Sequence, residues 1–473
     1  MRPAKGGSKS YRQSVKKSEL FLPLTLLIAL LLRLPSLYEP NWYGDEGIYQ
    51  VIGQAMAAGR PLYVGIWDNK PPLLYIIYMI FNGDQFWTRL VSLLFMLGAI
   101  IVFYFLSRKL FKKPKSVYTA TALFAVLFAT PFLEGNIANS ENFMLLPILG
   151  AMYLALGSRI IPAGLLLSAA FLLKIVAIFD LGALLFFFFT ILSFKDIKKW
   201  FVKSFLLGVS FVIPIVTTVL FFSITGGLSD FMTATFSQNV SYVGVQWLLF
   251  IKLLLLAGFC FAIFLKRKML SLPQIFIYSW LGFSVFNAFF GGRPWIHYLL
   301  VALPAFCLFI AQTFEDKKLR VINIILAIVL LVFFAKNFWV YGKTLSYYTN
   351  FTAFFSSQKT AAEYQNFFDW YVVRDYEVAA YIRQQSKSDD KLFIWGDNAQ
   401  IYALSKRLPA GRYTVAYHVT FYKSALLETR AVIEREKPIF ILALRDDLPP
   451  VLLDPSYSLK TVLRGVRIYA RRI

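Results

Sequence analysis

Two neighbouring carboxylates stand near the start of the chain, in a polar segment between two apolar runs. Asp45 and Glu46 lie in residues 41–49, and residues 48–58 have the pattern of a short amphipathic helix at a membrane interface. A carboxylate at the start of such a helix can act as a base on a substrate held at the membrane face. The alternative is structural: both carboxylates cap the helix and interact with its dipole.

A lysine closes the same polar segment. Lys70 precedes Pro71 and Pro72, and proline favours the first turn of a helix because that turn needs no N–H donor. An ammonium group beside a helix N-terminus is unfavourable by itself, and it becomes favourable when an anion such as phosphate lies between them. The alternative is a lysine whose stem lies on apolar surface while its ammonium reaches water.

A third polar group lies far along the chain, in the short loop of residues 291–295 and just after it. The planar guanidinium of Arg293 can bind phosphate, or it can anchor the loop at the membrane surface beside Trp295. His297 can help to bind phosphate or a metal, or it can be a hydrogen-bonded wall residue. Both residues are therefore candidates for the same site as Lys70.

Further candidates accompany these three groups. Glu134 and Glu141 bracket a second polar loop, where Glu141 can place a metal or an acceptor or can belong to a helix N-cap region. Lys174 lies at a turn between two apolar runs, and it either pairs with Asp180 or adds a positive charge to the site. The candidates for positioning an acceptor or a metal are Glu141, Tyr49 and Tyr75.

The composition places these residues in a membrane protein. Of the 473 residues, 58% are apolar and 16% are charged, against about 25% charged in an ordinary soluble domain, and the mean hydropathy is +0.60. A soluble fold of this size cannot bury so much apolar surface. Cys260 and Cys307 both lie in apolar runs, so no disulfide framework is predicted. The sequence also contains no phosphate-binding GxxxxGK loop.

Eleven apolar runs approach the length of about 20 residues that a bilayer-spanning helix needs. The first follows a basic leader without a small-residue cleavage site, so we expect a retained anchor and not a removed signal peptide. The runs cover residues 20–37, 86–106, 117–133, 143–157, 160–173, 176–193, 204–223, 247–265, 272–290, 296–313 and 320–340.

The net charge of +23 is explained by the distribution of the basic residues between these runs. Alternate connecting segments, beginning with residues 1–19, hold 22 Lys and Arg residues, whereas the segments on the opposite side hold four. The positive-inside rule then places the N-terminus in the cytoplasm and everything after residue 341 outside. We expect a multi-pass protein of the plasma (inner) membrane and no nucleic-acid partner.

The last part of the chain has the composition of a soluble domain. Residues 1–19 are predicted as a cytoplasmic basic segment, residues 20–341 as the transmembrane domain, and residues 342–473 as a small extracytoplasmic α/β domain. Within the last of these, helices are predicted at residues 375–387 and 421–436, and strands at 391–395, 439–444 and 457–470.

Taken together, these motifs resemble those of GT-C membrane glycosyltransferases. More narrowly, the chain is similar to the bacterial relatives of dolichyl-phosphate-mannose–protein mannosyltransferases, a superfamily that includes the aminoarabinose transferases and the RgtA/B/C/D-like glycosyltransferase family. The resemblance covers residues 1–340. The residues that carry it are Asp45-Glu46-Gly47-Ile48-Tyr49, Asp68-Asn69-Lys70-Pro71-Pro72-Leu73-Leu74-Tyr75, Leu172-Leu173-Lys174, and Arg293 with His297, Tyr298 and Pro304.

The resemblance implies an α-helical polytopic GT-C fold with about 11 transmembrane helices and interfacial helices in the first external loop. By it, the sugar donor is a polyprenyl-phosphate sugar, Asp45 matches the catalytic carboxylate, and Lys70 matches the lysine on the lipid phosphate. Arg293 matches a second phosphate contact. The second acidic position of the family corresponds to Glu141 without a clear acidic pair, which leaves open whether a divalent metal ion takes part.

The chemistry of the residues agrees with this implication. Sugar transfer from a lipid phosphate needs a base for the acceptor hydroxyl and cations for the departing phosphate, which Asp45, Lys70 and Arg293 supply on one face. The hypothesis is a hexosyl- or pentosyltransferase that acts on an extracytoplasmic lipid, glycan or protein, with acceptor choice in residues 224–246 and the C-terminal domain. The alternative is a transporter or flippase of lipid-linked sugars, towards which only Asp180 points.

Overall fold

The computed structural model describes residues 7–192, 196–238, 246–339, 341–422 and 424–472. These residues are mainly helical, and a small sheet lies near the end of the chain. The helices are α1 (Gly7–Arg33), α2 (Gly44–Ala57), α3 (Pro72–Ile80), α4 (Gln85–Leu110), α5 (Pro114–Ala129), α6 (Ser140–Leu156), α7 (Ile160–Leu173), α8 (Ile178–Thr190), α9 (Ile197–Ile224), α10 (Leu228–Met232), α11 (Gln246–Lys266), α12 (Leu272–Phe290), α13 (Leu303–Glu315), α14 (Arg320–Asn337), α15 (Thr344–Phe355), α16 (Ala361–Asn366), α17 (Tyr371–Gln385), α18 (Gln400–Ser405), α19 (Ala416–Phe421) and α20 (Ala425–Glu436).

Each of the eleven predicted apolar runs overlaps one of these helices. By length and composition, five helical segments are long and apolar enough to cross a membrane, and five apolar helices are shorter, with 10–17 residues. The exact number of spans stays a prediction, and the last residues of two predicted runs, 193 and 340, lie outside the described residues. The five long segments are Leu20–Tyr38, Gln85–Leu110, Ile197–Ile224, Trp247–Lys266 and Arg320–Asn337.

The segments between the helices gather at two opposite ends of the bundle. At one end, the backbone N–H groups of Lys112 and Lys113 donate to the carboxylate of Glu315 at 3.0 and 3.1 Å, and Gln274 donates to Asp316 at 2.9 Å. Residues 107–116 and 314–320, which take part in these contacts, are both predicted to be cytoplasmic. The candidate residues Asp45 and Lys70 lie in segments that meet at the other end.

The loop predicted as the first external one carries α2 and α3, which pack against each other and under the C-terminal part of the chain. Helix α2 is largely buried, because α3 lies on one side and α18 on another. A Cβ atom on Gly47 would lie 2.8 Å from the backbone nitrogen of Gln400, so glycine at this position permits the close approach of α18. The Gln54 side chain adds a hydrogen bond to the carbonyl of Ala403 at 3.4 Å.

The C-terminal sheet has the strand order β1-β2-β4-β3. Strands β1 (Leu392–Trp395) and β2 (Phe440–Ala443) are parallel and buried along their whole length, as short apolar runs between helices predict. Strands β3 (Tyr457–Leu463) and β4 (Val466–Arg471) form an antiparallel hairpin on the far side of β2. The predicted helices at 375–387 and 421–436 correspond to α17 and α20.

A buried guanidinium joins the first loop to the helical bundle. Arg89, near the start of α4, lies between Glu39 and Glu46, with Nη1 2.9 Å from Glu39 and Nε 3.0 Å from Glu46. The amide of Asn136 and the hydroxyl of Tyr347 also donate to Glu39, so the second external loop and α15 reach the same cluster. All five side chains are shielded from solvent. Buried charges are tolerated only when they are paired and hydrogen-bonded, so each member requires the others.

Replacement of Arg89 by alanine would leave two carboxylates buried without a cation. We expect Arg89→Ala to lower the free energy of unfolding by about 3–5 kcal/mol, measured by unfolding in detergent micelles. The matched control is Arg108→Ala at the exposed opposite end of α4, where a loss below about 1 kcal/mol is expected. Equal stability of the two variants would contradict the role given to Arg89.

Candidate active site

Asp45 lies in the first turn of α2. The helix begins after Tyr43, which has an extended backbone and makes no side-chain capping bond. Asp45 is half-buried, and the Tyr49 hydroxyl, one turn along the helix, donates to its Oδ2 atom at 3.4 Å. A long hydrogen bond from a neutral hydroxyl leaves the carboxylate able to accept a proton from another group. The helix N-terminus also favours a negative charge at this position.

Glu46, the next residue, has a different environment. It is 1% exposed, and both of its oxygens bond to Arg89. The backbone N–H of Ala138 donates a further hydrogen bond to Oε1 at 2.7 Å. A carboxylate held in this way positions loops, and it has little capacity left for proton transfer. Of the two predicted catalytic carboxylates, Asp45 is therefore the one with free capacity to accept a proton.

Lys70 is held through its backbone by two tyrosine hydroxyls. Its N–H donates to Tyr75 at 3.0 Å, and its carbonyl accepts from Tyr63 at 2.7 Å. The Tyr75 hydroxyl in turn donates to Oδ2 of Asp68 at 2.7 Å, while Oδ1 of Asp68 lies 3.5 Å from Nε2 of His418. Residues 67–70, which we call the 67–70 segment, are thus fixed from several sides immediately before α3.

The charge of Asp68 is stabilised by its neighbours. Burial alone would raise the pKa of this carboxyl group, but the Lys70 ammonium and the hydrogen bonds from His418 and Tyr75 lower the pKa to about 2. Asp68 is therefore ionised at neutral pH. It lies within electrostatic range of Lys70, whose Nζ donates to Asn69 Oδ1 at 2.9 Å.

Tyr49 brings the two sequence motifs together. Its hydroxyl bonds to Asp45, and the ammonium of Lys70 lies 6.0 Å from the centre of its ring. The ring also meets those of Tyr75 and Tyr78 edge-on, at 6.0 and 5.6 Å between centroids. The predicted base and the predicted phosphate-binding lysine are thus on two sides of one buried tyrosine. Tyr49 and Tyr75 act as positioning residues in this arrangement.

A second network lies on the other side of Tyr43. Nδ1 of His297 is 2.7 Å from Oε2 of Glu134, and the Tyr43 hydroxyl donates to the same oxygen at 2.8 Å. On the opposite edge of the ring, Nε2 of His297 is 3.8 Å from Oε1 of Glu141, which accepts a hydrogen bond from Lys174. These contacts join four external segments that are distant in sequence.

This network decides between two alternatives that the sequence left open. Lys174 pairs with Glu141 and lies 4.5 Å from the ring centre of Tyr298, so the alternative in which Lys174 pairs with Asp180 is wrong. Asp180 instead accepts a hydrogen bond from Trp280 Nε1 at 2.8 Å. Tertiary packing brings Glu141 next to Lys174, although Asp180 is closer in sequence.

The same contacts decide whether Glu141 and His297 could bind a metal ion. Glu141 and His297 were the metal candidates, and the ammonium of Lys174 already occupies the carboxylate that a metal would need. Within the described parts of the chain, no group of three or more His, Cys, Asp or Glu side chains is placed to hold a metal ion. This ligand set does not fit a divalent cation, which requires several oxygen ligands.

Arg293 lies in an exposed loop beside the bundle. The Pro294 carbonyl accepts a hydrogen bond from the Trp339 N–H at 3.2 Å, and the Trp295 and Trp339 rings meet at right angles. A Cβ atom on Gly292 would lie 3.8 Å from Nζ of Lys252, so a second cation stands near this loop. The sequence analysis did not name Lys252 as a candidate, because it lies near one end of the apolar run 247–265, where a single lysine is expected to mark the end of a span.

The C-terminal domain contributes a residue that the sequence motifs did not indicate. His418 is 2% exposed, and its ring lies perpendicular to that of Trp67, with 5.2 Å between centroids. The N–H of Trp67 donates to the carbonyl of Arg412 at 3.0 Å. The sequence offered one signal for His418: histidine is rare in this chain, which has only His297 and His418. In the structure, both contact carboxylates of the candidate site.

The lowered pKa of Asp68 predicts a pH dependence of stability. Because the pKa in the folded state is depressed from 3.8 to about 2, the stabilisation is complete above pH ~4 and is lost as the pH falls through about 2. Asp68→Asn should therefore cost roughly 2 kcal/mol of unfolding free energy near neutral pH. The difference from wild type should shrink as the pH is lowered, in unfolding measurements between pH 6 and pH 2.5.

Asp375 in α17 provides a control of opposite sign. Burial raises the pKa of its carboxyl group to about 6, in spite of the ion pair with Arg374. Its stabilising contribution is therefore largest below pH ~4 and is lost between pH ~4 and ~6. A difference between wild type and Asp68→Asn that grew with acidity, as expected for Asp375→Asn, would contradict the charged state assigned to Asp68.

The solved structures that are similar to this chain include two of ArnT. ArnT from Cupriavidus metallidurans bound to undecaprenyl phosphate matches with a TM-score of 0.59 and 13% identity, over 95% of this chain and 97% of that one. ArnT from the same organism in the apo state matches with a TM-score of 0.57 and 14% identity, over 97% and 98%. No protein-family model matches the sequence, and no curated protein matches it. The chain therefore has the fold of ArnT, which confirms the expected GT-C fold with its apolar helices and small C-terminal sheet.

Proposed function

We propose that the chain is a membrane glycosyltransferase that moves a monosaccharide from a polyprenyl-phosphate donor to an extracytoplasmic acceptor. The observation that carries the proposal is the convergence of Asp45 and Lys70 on Tyr49 at one end of the bundle. The fold it shares with ArnT, one structure of which contains undecaprenyl phosphate, supports this donor class. A sugar-bearing lipid phosphate presented at the membrane face would meet a base and a cation at the same place.

In the proposed reaction, Asp45 accepts the proton of the acceptor hydroxyl. The acceptor oxygen attacks the anomeric carbon, and the bond from that carbon to the phosphate oxygen breaks. Polyprenyl phosphate leaves with an additional negative charge, which the ammonium of Lys70 stabilises. Both backbone polar groups of Lys70 are hydrogen-bonded, so the point from which its side chain extends is held in place.

The proposed stereochemistry follows from the environments of the two carboxylates. A retaining enzyme needs a second carboxylate as a nucleophile, and Glu46, the nearest in sequence, is engaged by Arg89 and Ala138. One available base supports a single displacement with inversion at the anomeric carbon. A phosphate monoester is a competent leaving group, so the reaction does not require a general acid.

The transporter alternative rests on Asp180 as a charge within the bundle. Trp280 donates to its Oδ1 atom, whereas its buried Oδ2 atom accepts no hydrogen bond from the described residues. The candidate charges instead lie in segments at one end, whereas a transporter places its substrate site near the bilayer midplane.

The base is tested by Asp45→Asn in a transfer assay with radiolabelled polyprenyl-phosphate sugars in membranes. We expect the release of polyprenyl phosphate to fall by about 10²- to 10⁴-fold, since a general base contributes that much, while binding of polyprenyl phosphate is retained. Glu46→Gln is the contrasting variant: it should lower the yield of folded protein by disturbing the Arg89 cluster. Equal turnover by wild type and Asp45→Asn would place the base elsewhere.

The phosphate contacts are tested by direct binding of undecaprenyl phosphate. Lys70→Ala and Arg293→Ala should each weaken binding by about tenfold or more, and Lys70→Arg should weaken it less, because the cation is kept. Arg267→Ala is a control, since Arg267 lies at the opposite end and bonds to the Phe264 carbonyl. Normal binding by both alanine variants would exclude a clamp made of these two residues.

A further inference from the structure

The 67–70 segment is held by the C-terminal domain as well as by the first external loop. Arg412, from the C-terminal part, accepts the Trp67 N–H through its carbonyl and donates from Nη1 to the Tyr63 carbonyl at 3.3 Å. The same guanidinium forms an ion pair with Asp230 at 2.6 Å. Trp67 itself meets the ring of Tyr422 edge-on, with 4.6 Å between centroids. The 67–70 segment is thus enclosed by Arg412 and Tyr422, which are more than 300 positions away in the sequence.

Among these residues of the C-terminal domain, His418 is the one that contacts the carboxylate of Asp68. Its Nε2 atom is 3.5 Å from Oδ1 of Asp68, while the Tyr75 hydroxyl occupies Oδ2. Asp68 is 3% exposed, and a buried carboxylate is costly unless its oxygens find donors. One of these two donors comes from α3 and the other from α19, so the orientation of the carboxylate depends on both parts of the chain.

The orientation of Asp68 matters because Lys70 is close by. Lys70 is the strongest of the groups that favour the ionised form of Asp68. The carboxylate of Asp68 and a donor phosphate are both anions, and both attract the same ammonium. A carboxylate whose two oxygens are held by His418 and Tyr75 stays in place, whereas one that lost His418 would be able to turn towards Lys70 and compete with the phosphate.

We propose that the C-terminal α/β domain completes the sugar-donor site, and that His418 is a positioning residue that keeps Asp68 from competing with the lipid phosphate for Lys70. This inference rests on the proposed function, in which Lys70 binds the donor phosphate. It assigns the C-terminal domain a part in donor binding, in addition to any part in acceptor choice.

The first test compares variants at position 418 in the full-length protein. His418→Ala should raise the KM for the polyprenyl-phosphate sugar, and the Kd for undecaprenyl phosphate, by about 10- to 100-fold, with a smaller change in kcat. His418→Gln, whose side-chain amide can donate from a similar position, should restore most of the affinity. Val419→Ala is the matched control, because Val419 is also 2% exposed and lies on the same short helix.

A double variant separates competition from simple loss of structure. If Asp68 captures Lys70 when His418 is absent, His418→Ala combined with Asp68→Asn should bind undecaprenyl phosphate more tightly than His418→Ala alone. If His418 served only to stabilise the fold, the second substitution would not restore the binding of undecaprenyl phosphate. The proposal would be overturned by unchanged KM and Kd in His418→Ala, or by an equal loss of affinity in Val419→Ala. It would also be overturned by a double variant that binds undecaprenyl phosphate no more tightly than His418→Ala.

A readout that needs no substrate distinguishes this proposal from the proposed function. Amide hydrogen exchange in a peptide covering residues 63–75 should be faster in His418→Ala than in wild type and in Val419→Ala, because the N–H groups of Trp67 and Lys70 lie in this segment. If wild type failed to bind undecaprenyl phosphate, the proposed function would be wrong, and faster exchange would still show that His418 holds the segment. Unchanged exchange would show that it does not.

Discussion

The end of the molecule that carries Asp45 and Lys70 depends on one buried guanidinium. Arg89 balances Glu39 and Glu46 where solvent is excluded, and each of the three charges would be costly without the others. Around them meet the end of the first helix, the start of α2, the second external loop and α15. Because Glu46 is fixed in this cluster, the neighbouring Asp45 is presented in the first turn of the same helix. The cluster thus separates two adjacent carboxylates into a structural one and a chemically available one.

Tyrosine hydroxyls carry much of the positioning around this cluster. Tyr63 and Tyr75 hold the backbone of Lys70, and Tyr43 lies between Glu134 and His297. Tyr49 lies next to both Asp45 and Lys70. A tyrosine can bury its ring against apolar helices while its hydroxyl bonds to a polar group, which suits a site at the border of a membrane. Cations and carboxylates at this end are therefore held in fixed places, as preorganised electrostatic stabilisation requires.

The sequence predicted those features that depend on local pattern. The apolar runs located the membrane helices, because a helix in lipid must satisfy its backbone internally and present apolar side chains along its length. The alternation of basic segments predicted which connections share an end. Asp45 and Lys70 stood out because each is a charge next to a helix start, a feature that can be recognised within a few residues.

Contacts between distant segments could not be read from the sequence. The partner of Lys174 proved to be Glu141 and not Asp180, since packing and not spacing selects the pair. Arg89 lies within a predicted apolar run and gave no sign of its two carboxylates. His418 is 350 positions from Asp68, and only the folded chain shows that they meet. Such pairs follow from tertiary packing, which a hydropathy or charge pattern does not encode.

The most direct test of the account is the position of the lipid phosphate in a structure of this protein bound to undecaprenyl phosphate. The account predicts that the phosphate lies against the ammonium of Lys70, on the side from which Asp45 can reach a sugar at the anomeric carbon. It also predicts that Asp68 still faces His418 and Tyr75 in that complex. A phosphate bound away from Lys70, or an Asp68 carboxylate turned onto Lys70 while the lipid is bound, would contradict the account.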